Sequence, residues 1–497
     1  MSGFRSVLKS KRKNERAGTR KTKTKKRLFI FLFLTGAQIA GVISSFHALM
    51  GTRTSQGAIA WIVSLNTFPV VAVPAYWIFG RNNFNGYVSD RQENDEELKE
   101  IISELVRKHP HAFPETDKVH PGAHAGEQLA RLPILKGNEV ELLVDGEKTF
   151  ASIFQGIEAA QSYVLVQFYI VKDDDLGRRL KDLLIRKAKG GVQVYFLYDE
   201  VGSQSLPCSY IEELRAAGVL AHNFHTRKGP RNRFQINFRN HRKIVVTDGD
   251  TSWVGGHNVG DEYIDGGKEF SSWRDTHIKI SGPASLALQQ TFVEDWNWAT
   301  DKVLNLDWES GFQAVGNQDV LIIPSGPADT RETATLMFTH AINSAKERIW
   351  IASPYFVPDE GVLNALELAT LRGVDVRILI PDEPDHLLVY LAAFSYLKKA
   401  GAGVRVWRYT AGFMHQKVML IDETVSSVGT ANFDNRSFRL NFEVTALVMD
   451  AAFNRQVEKM LLVDFENSKE MDPEAIDDKS IWFQVMSRAA SLAAPIL

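Results

Sequence analysis

Two segments of the chain carry the same spaced set of polar residues. NHRKIVVTDGDTSWVGGHN presents His241, Lys243, Asp248, Gly255 and Asn258, and MHQKVMLIDETVSSVGTAN presents His415, Lys417, Asp422, Gly429 and Asn432, so that both read H-x-K-x4-D-x6-G-x2-N. The repetition extends upstream. SYVLVQFYIVKDD from Ser162 matches RIWIASPYFVPDE from Arg348, GGVQVYFLYDE from Gly190 matches RGVDVRILIPDE from Arg372, and LRAAGVLAHNF from Leu214 matches LKKAGAGVRVW from Leu397. An internal duplication of this kind constrains the fold before any local propensity does. In each copy an apolar, β-rich run alternates with a helical stretch such as LGRRLKDLLIRKAK or GVLNALELATL. That alternation predicts two similar α/β units, each with a covered sheet, placed at 130–317 and 318–497 and packed about a pseudo-two-fold axis.

The motif residues are the types that handle a phosphate. If His241 and Lys243 lie in a strand they project to one face, as do His415 and Lys417. Packing of the halves would then gather two imidazoles, two ammonium groups and the amides of Asn258 and Asn432 around one point. Lysines and amides orient and neutralise phosphoryl oxygens, more strongly where water is excluded. One imidazole would attack phosphorus while the other protonates the leaving oxygen. No metal or cofactor is called for, since cationic side chains supply the charge. An attacking histidine also needs a group that fixes its tautomer. Glu443 in LNFE and Asp275 in SWRDTH follow the two motifs and are the candidates. Asp248 and Asp422 complete the motifs at strand ends beside turns, where they shape the loop. The symmetry of the pattern leaves open which histidine attacks.

Charge is distributed unevenly. The chain of 497 residues has 58 Lys and Arg against 60 Asp and Glu, but residues 1–27 hold twelve of the basic residues and only Glu15 of the acidic ones. A basic tail is therefore attached to an acidic body, which points to an anionic surface as the tail's partner. Directly after it, Leu28 to Thr52 and Thr54 to Gly80 are free of Asp, Glu, Lys and Arg. Each is long enough to cross a hydrocarbon core at about twenty residues per helix. Pro69 and Pro74 would kink the second. These features predict a two-helix transmembrane hairpin over 28–80, with both chain ends and the catalytic units on the cytoplasmic side of the inner membrane. A single cysteine, Cys208, excludes a disulfide framework.

Residues 81–129 read as an acidic, Pro- and Gly-punctuated linker. Leu98, Ile101, Ile102, Leu105 and Val106 predict a short amphipathic helix packed on the body. His109, His111, His120 and His124 lie among prolines without a shared register, and a solvated linker is expected there rather than a metal site.

At the duplicated motif the chain resembles the phospholipase D superfamily and, more narrowly, the bacterial cardiolipin synthases. The likeness runs from Leu28 to the C-terminus and includes AWIVSLNTFPVVAVPAYWIFGR, SPYFVPDE and GTANFDNRSFRLNFE. The resemblance implies a phosphatidyltransferase that converts two phosphatidylglycerols into cardiolipin and glycerol, with His241 forming a phosphatidyl-histidine and His415 protonating the departing glycerol. A phospholipase D hydrolase or a phosphatidylserine synthase is the alternative, differing only in the acceptor. A membrane-tethered nuclease is more distant, and no nucleic-acid partner is expected. About eleven extra residues precede the first motif. The segment from Thr226 to Thr247 holds Arg227, Lys228, Arg231, Arg233, Arg239, Arg242 and Lys243, no acid, and Phe234, Ile236 and Phe238. It is expected to draw anionic lipid toward Lys243, with Arg231, Arg233 and Arg239 touching substrate.

Overall fold

The structure is a computed structural model that describes residues 2–52, 54–80, 84, 87, 103–114, 123–226, 237–267, 270–401, 403–472 and 479–494. The chain divides into an N-terminal helical unit and a large α/β body that begins at Phe84.

In the helical unit, α1 (Ser2–Gly51) is continuous, and its Lys25–Gly51 portion is long and apolar enough to cross a membrane. Phe29, Phe31, Phe33 and Phe46 are all exposed, the all-round apolar surface of a lipid-facing helix. The second uncharged stretch departs from expectation. It forms two short helices, α2 (Ser55–Thr67) and α3 (Pro69–Phe79), instead of one kinked span. Phe68 leaves the helix at φ −130°, ψ 57°, because the residue before a proline is pushed out of the α region. Pro69 then opens α3, where its missing N–H costs nothing. The α3 helix doubles back along α2. Tyr76 stacks edge-on against Trp61 and accepts or donates a 2.6 Å hydrogen bond with His47 Nδ1, while Trp77 Nε1 donates to Ser44 Oγ at 3.0 Å. Among the described residues α1 is the one helix that meets the length and composition needed for a crossing.

The body is built on one continuous sheet. Its first copy contributes β1 (Leu135–Val144), β2 (Tyr163–Phe168), β3 (Gln193–Asp199), β4 (Leu220–Phe224), β5 (Arg239–Asn240), β6 (Ile244–Thr247), β7 (Thr251–Gly255) and β9 (Thr276–Ser281), with the short β8 (Trp273–Arg274) off the sheet. Its second copy contributes β10 (Gln318–Ser325), β11 (Arg348–Ala352), β13 (Asp375–Pro381), β14 (Arg405–Tyr409), β16 (Val418–Ile421), β17 (Val425–Gly429), β19 (Asn441–Met449) and the edge strand β20 (Ser468–Met471). The short β12 (Phe356–Val357), β15 (Phe413–Met414) and β18 (Phe433–Asp434) lie off it. From β4 the order is β4-β3-β2-β6-β7-β9-β1, and from β14 it is β14-β13-β11-β16-β17-β19-β10. The two runs meet where β1 and β10 pair antiparallel, Leu135 opposite Val320.

Within each run the chain crosses over through a helix. α4 (Asp145–Ala159) precedes β2, α5 (Asp175–Lys189) links β2 to β3 in parallel, and α6 (Ala284–Thr300) follows β9. In the second run α7 (Thr333–Ser344) precedes β11, α8 (Glu360–Leu371) links β11 to β13 in parallel, α9 (Leu387–Lys399) follows β13, and the short α10 (Asn435–Arg439) precedes β19. α11 (Ala451–Glu466) and α12 (Ile481–Ser491) complete the chain. Asp174 and Asp359 cap α5 and α8 by accepting from Gly177 N and Val362 N. All six residues of β2 are buried, the signature of a strand covered on both faces.

The linker lies against this body. Leu105 packs on the main core, as expected, while residues 98–102 fall outside the described residues. His109 is not simply solvated. It stacks on Phe312 at 4.4 Å and bonds Glu309 Oε2 at 3.0 Å, and His111 Nε2 bonds Phe312 O at 3.3 Å. These imidazoles dock the linker; His120 lies outside the described residues.

Candidate active site

The two histidines lie just ahead of β6 and β16 rather than inside a strand. Each is fastened to the opposite half. β5 runs parallel to the start of β19, Arg239 opposite Asn441, and His241 N donates to Phe442 O at 2.9 Å. β15 runs parallel to β8, Phe413 opposite Trp273, and His415 N donates to Arg274 O at 2.8 Å. The residue after each acceptor is a carboxylate, so the pairing is crosswise. His241 Nδ1 donates to Glu443 Oε2 at 2.9 Å, and His415 Nδ1 donates to Asp275 Oδ2 at 2.7 Å. A carboxylate only accepts, so Nδ1 carries the proton and Nε2 presents its lone pair. Among the described residues neither Nε2 has a hydrogen-bond partner.

The two carboxylates are supported differently. Glu443 also accepts from Thr430 Oγ1 at 2.6 Å and Asn441 Nδ2 at 3.1 Å. Asp275 accepts instead from its neighbour Thr276 N at 2.8 Å. The residue matching Thr430 in the first copy is Gly256, and a Cβ there would stand 2.0 Å from Asp275 Oδ1. Lys243 Nζ donates to His241 O at 2.7 Å and lies 5.4 Å from the centre of the Tyr169 ring, which meets the His241 ring edge-on at 4.9 Å. Lys417 Nζ donates to His415 O and lies 2.9 Å from His415 Nδ1. Trp273, Phe413 and Tyr263 ring His415 at centroid distances of 5.6, 5.9 and 6.0 Å.

Burial governs the protonation of this cluster. It pushes His241 down to about 4, against the pull of Glu443 and with the push of Lys243. Burial, with Lys417 and Lys243 nearby, also holds His415 well below its ordinary value. The lysines shift the same way. Lys417 falls to about 8 through burial despite Asp275 and Glu443, and Lys243 is pulled well down by burial and by Lys417. Glu443 moves opposite to what burial alone would do, because His241, which donates a hydrogen bond to it, and the nearby Lys243 favour its carboxylate form. Burial thus favours neutral imidazoles beside poorly solvated lysines, and a phosphodiester charge at this point would stabilise every proton in the cluster.

The other motif residues take separate places. Asp248, at φ 51°, accepts from the backbone N–H groups of Gln161, Ser162 and Tyr163; Asp422, at φ 47°, accepts from those of Lys346, Glu347 and Arg348. Both tie the turn after the motif strand to the start of the neighbouring strand. Asn258 is held by protein at both ends of its amide, Oδ1 by Ile170 N at 3.2 Å and Nδ2 by Tyr263 OH at 2.7 Å. Among the described residues Asn432 Oδ1 is buried without a hydrogen-bond partner.

The basic segment is only partly a surface feature. Arg231 and Arg233 lie outside the described residues. Arg239 sits half-buried in β5 with Nη1 on Phe238 O. Phe238 is a core residue packed edge-on to Phe84, because parallel pairing of β5 draws it inward. Arg242 is fully buried, donating to Asp295 Oδ1 at 2.8 Å and to Glu443 O at 3.0 Å. Asp295 in turn accepts from Gln167, Asn240 and Tyr87. The sequence reading missed Tyr169, Thr430, Asp295 and the inward role of Arg242. Alternation offered one signal, since Arg242 falls between two residues that must face the site and so points the other way.

A sequence model described as "Cardiolipin synthase, PLD-like domain" matches residues 153–296 and 338–464, and one described as "Phospholipase_D-nuclease N-terminal" matches residues 39–81. The chain is 48% identical over 476 residues to cardiolipin synthase A of Pseudomonas putida strain W619, covering 94% of this chain and 99% of that protein. It is 47% identical over 480 residues to cardiolipin synthase A of Pseudomonas aeruginosa strain LESB58, covering 94% and 96%. The crystal structure of phosphatidylserine synthase from Haemophilus influenzae Rd KW20 shares the fold, with a TM-score of 0.56 at 18% identity over 76% of this chain and 100% of that one. With both halves matched and near-complete coverage of relatives at this identity, the chain belongs to the cardiolipin synthase family of phospholipase D-like enzymes.

Proposed function

We propose that the enzyme transfers a phosphatidyl group from one phosphatidylglycerol to another, giving cardiolipin and glycerol. The observation that carries this reading is the crosswise pair of histidine–carboxylate couples, each leaving an unbonded Nε2. In the first step His241 Nε2 attacks phosphorus. The bond from phosphorus to the head-group oxygen breaks, and His415, protonated as the phosphodiester enters, gives its proton to that oxygen. Glycerol leaves and a phosphatidyl-histidine remains. In the second step neutral His415 takes the proton from the primary hydroxyl of a second phosphatidylglycerol, whose oxygen displaces His241 from phosphorus. Lys243, Lys417 and Asn432 hold the phosphoryl oxygens. Better support of Glu443 than of Asp275 favours His241 as nucleophile, since the attacking imidazole becomes cationic while bonded. The two halves, 130–317 and 318–497, act as pseudo-two-fold mates around one site, and Asp248 and Asp422 shape it from outside.

Purified enzyme given phosphatidylglycerol alone should release cardiolipin and glycerol in equal amounts. Phosphatidic acid as the sole lipid product would mean hydrolysis. Quenched enzyme should carry the phosphatidyl adduct on the peptide containing His241, and an adduct on His415 would reverse the roles.

The basic tail and α1 support a reading in which the enzyme sits in the bacterial inner membrane with the tail in the cytoplasm. For the body to share that side, α2 and α3 must straighten in lipid into one crossing of roughly 36 Å at 1.5 Å per residue. An alkaline phosphatase fusion should then be active at residue 53 and inactive at the C-terminus; activity at the C-terminus would place the body outside. Arg239 and the basic segment around it would draw anionic lipid to the site.

A further inference from the structure

The C-terminal helix α12 has two unlike faces. Phe483 packs edge-on against Phe394 at 5.1 Å, Ser487 Oγ donates to Leu391 O at 2.8 Å, and Ala490 and Ala494 are buried against Leu391 and Ala392 of α9. The other face holds Ile481, Trp482, Val485 and Met486, with Ile481 67% and Trp482 75% exposed. The two helices run antiparallel, Phe483 beside Phe394 and Ser487 beside Leu391, so the exposed start of α12 lies toward the C-terminal end of α9. Four large apolar side chains on one helix face form a patch, and a tryptophan this exposed is uncommon on a surface that meets only water.

The patch is joined to the active site by packing. Val357 of β12 belongs to the same cluster as Leu391, Ala392 and Ala490, and β12 pairs with β18, which follows Asn432 directly. Tyr355 OH, next to β12, donates to Asp385 Oδ2 at 2.5 Å. Asp385 lies two residues before Leu387 and within electrostatic reach of Lys417. Along its length α12 carries Arg488 and no acidic residue, Lys479 stands just ahead of it, and α9 ends in Lys398 and Lys399. Apolar side chains with a tryptophan among them, bordered by basic residues, are what an interfacial helix presents to an anionic bilayer.

We infer that the face formed by Ile481, Trp482, Val485 and Met486 docks on the lipid surface and sets the mouth of the active site at head-group level. This rests on the phosphatidyl-transfer reading, because only a substrate whose acyl chains stay in lipid requires such seating. The bilayer is chosen over a second copy of the chain because Lys398, Lys399, Lys479 and Arg488 border the patch and complement anionic head groups.

Two measurements on the full-length protein in phosphatidylglycerol/phosphatidylcholine vesicles test it. In a Cys208→Ser/Trp482→Cys variant, a fluorophore at position 482 should be quenched by lipids carrying a nitroxide near the head group. The same fluorophore on the exposed native Cys208 should be quenched far less. No quenching at 482, equal quenching at both positions, or a shift at 482 that depends on protein concentration and not on lipid would overturn the proposal. In a Trp482→Ser/Val485→Ser variant, turnover of vesicle phosphatidylglycerol should fall about tenfold, the scale expected from losing two buried apolar side chains. Turnover of a monomeric short-chain phosphatidylglycerol should stay at the unmodified level. Equal losses on both substrates, or no loss on vesicles, would also overturn it. If the unmodified enzyme makes no cardiolipin from either substrate, the reading of the reaction fails, while the quenching result still decides the docking.

Discussion

In the proposed mechanism Glu443 and Asp275 would act on chemistry through the imidazole each one touches. Each fixes the proton on Nδ1, so each determines whether Nε2 can attack or donate. Glu443→Gln keeps the size of the side chain but can turn an amide N–H toward His241. Its turnover should drop about 10²–10⁴-fold with little change in substrate affinity, the loss typical of disabling a general acid or base. A fall in KM-dependent terms alone would count against this role. The lysines give a pH signature. Burial brings Lys417 to about 8, so its ammonium, present below that value, is lost as the pH rises through it. The profile of kcat/KM should therefore turn down above about pH 8, and Lys417→Arg, which cannot deprotonate in this range, should flatten that limb at whatever activity remains. An unchanged alkaline limb in the variant would assign it to another group. Both histidine–lysine pairs and both carboxylates are visible in the primary structure as residue types at repeated spacing. Their pairing is not, because Glu443 follows the second motif yet serves the first histidine.

At the scale of elements, the loop after β7 and its counterpart after β17 occupy equivalent places with different residues. Thr430 uses its hydroxyl to hold Glu443, whereas Gly256 leaves room for Asp275 to accept from the backbone N–H of Thr276. Gly256→Ala would put a methyl group 2.0 Å from Asp275 Oδ1 and must displace that carboxylate. Activity should fall by at least tenfold, on the scale of a misplaced catalytic partner, with a smaller loss in thermal stability; wild-type activity would mean that Asp275 does not need its present position. The strands and crossover helices are legible from periodicity, since β2 and β11 are apolar runs and α5 and α8 begin at acidic caps. The break at Phe68 was not read, although Pro69 supplied its cause. A proline tolerated inside a single kinked helix and a proline that opens a new helix look alike in sequence, and the contacts of Tyr76 with Trp61 and His47 distinguish them.

For the whole molecule, the consequence of the central β1–β10 pairing is that a single chain holds both histidine couples. Mixing His241→Gln and His415→Gln chains in one membrane should therefore restore no activity beyond that of either alone, measured as cardiolipin formed. Recovery toward wild type would show that copies exchange halves. By itself the sequence determined the duplication, the residue types of the site and the membrane character of the N-terminus, because spacing, charge and apolar length are local properties of the chain. Only the tertiary structure decided which carboxylate serves which histidine, that Arg242 and Phe238 turn into the core, and which apolar face of the body stays uncovered. Those outcomes depend on β5 pairing with β19 and β15 with β8, and on α12 packing against α9. Contacts between segments up to about two hundred residues apart in sequence leave no local period to read.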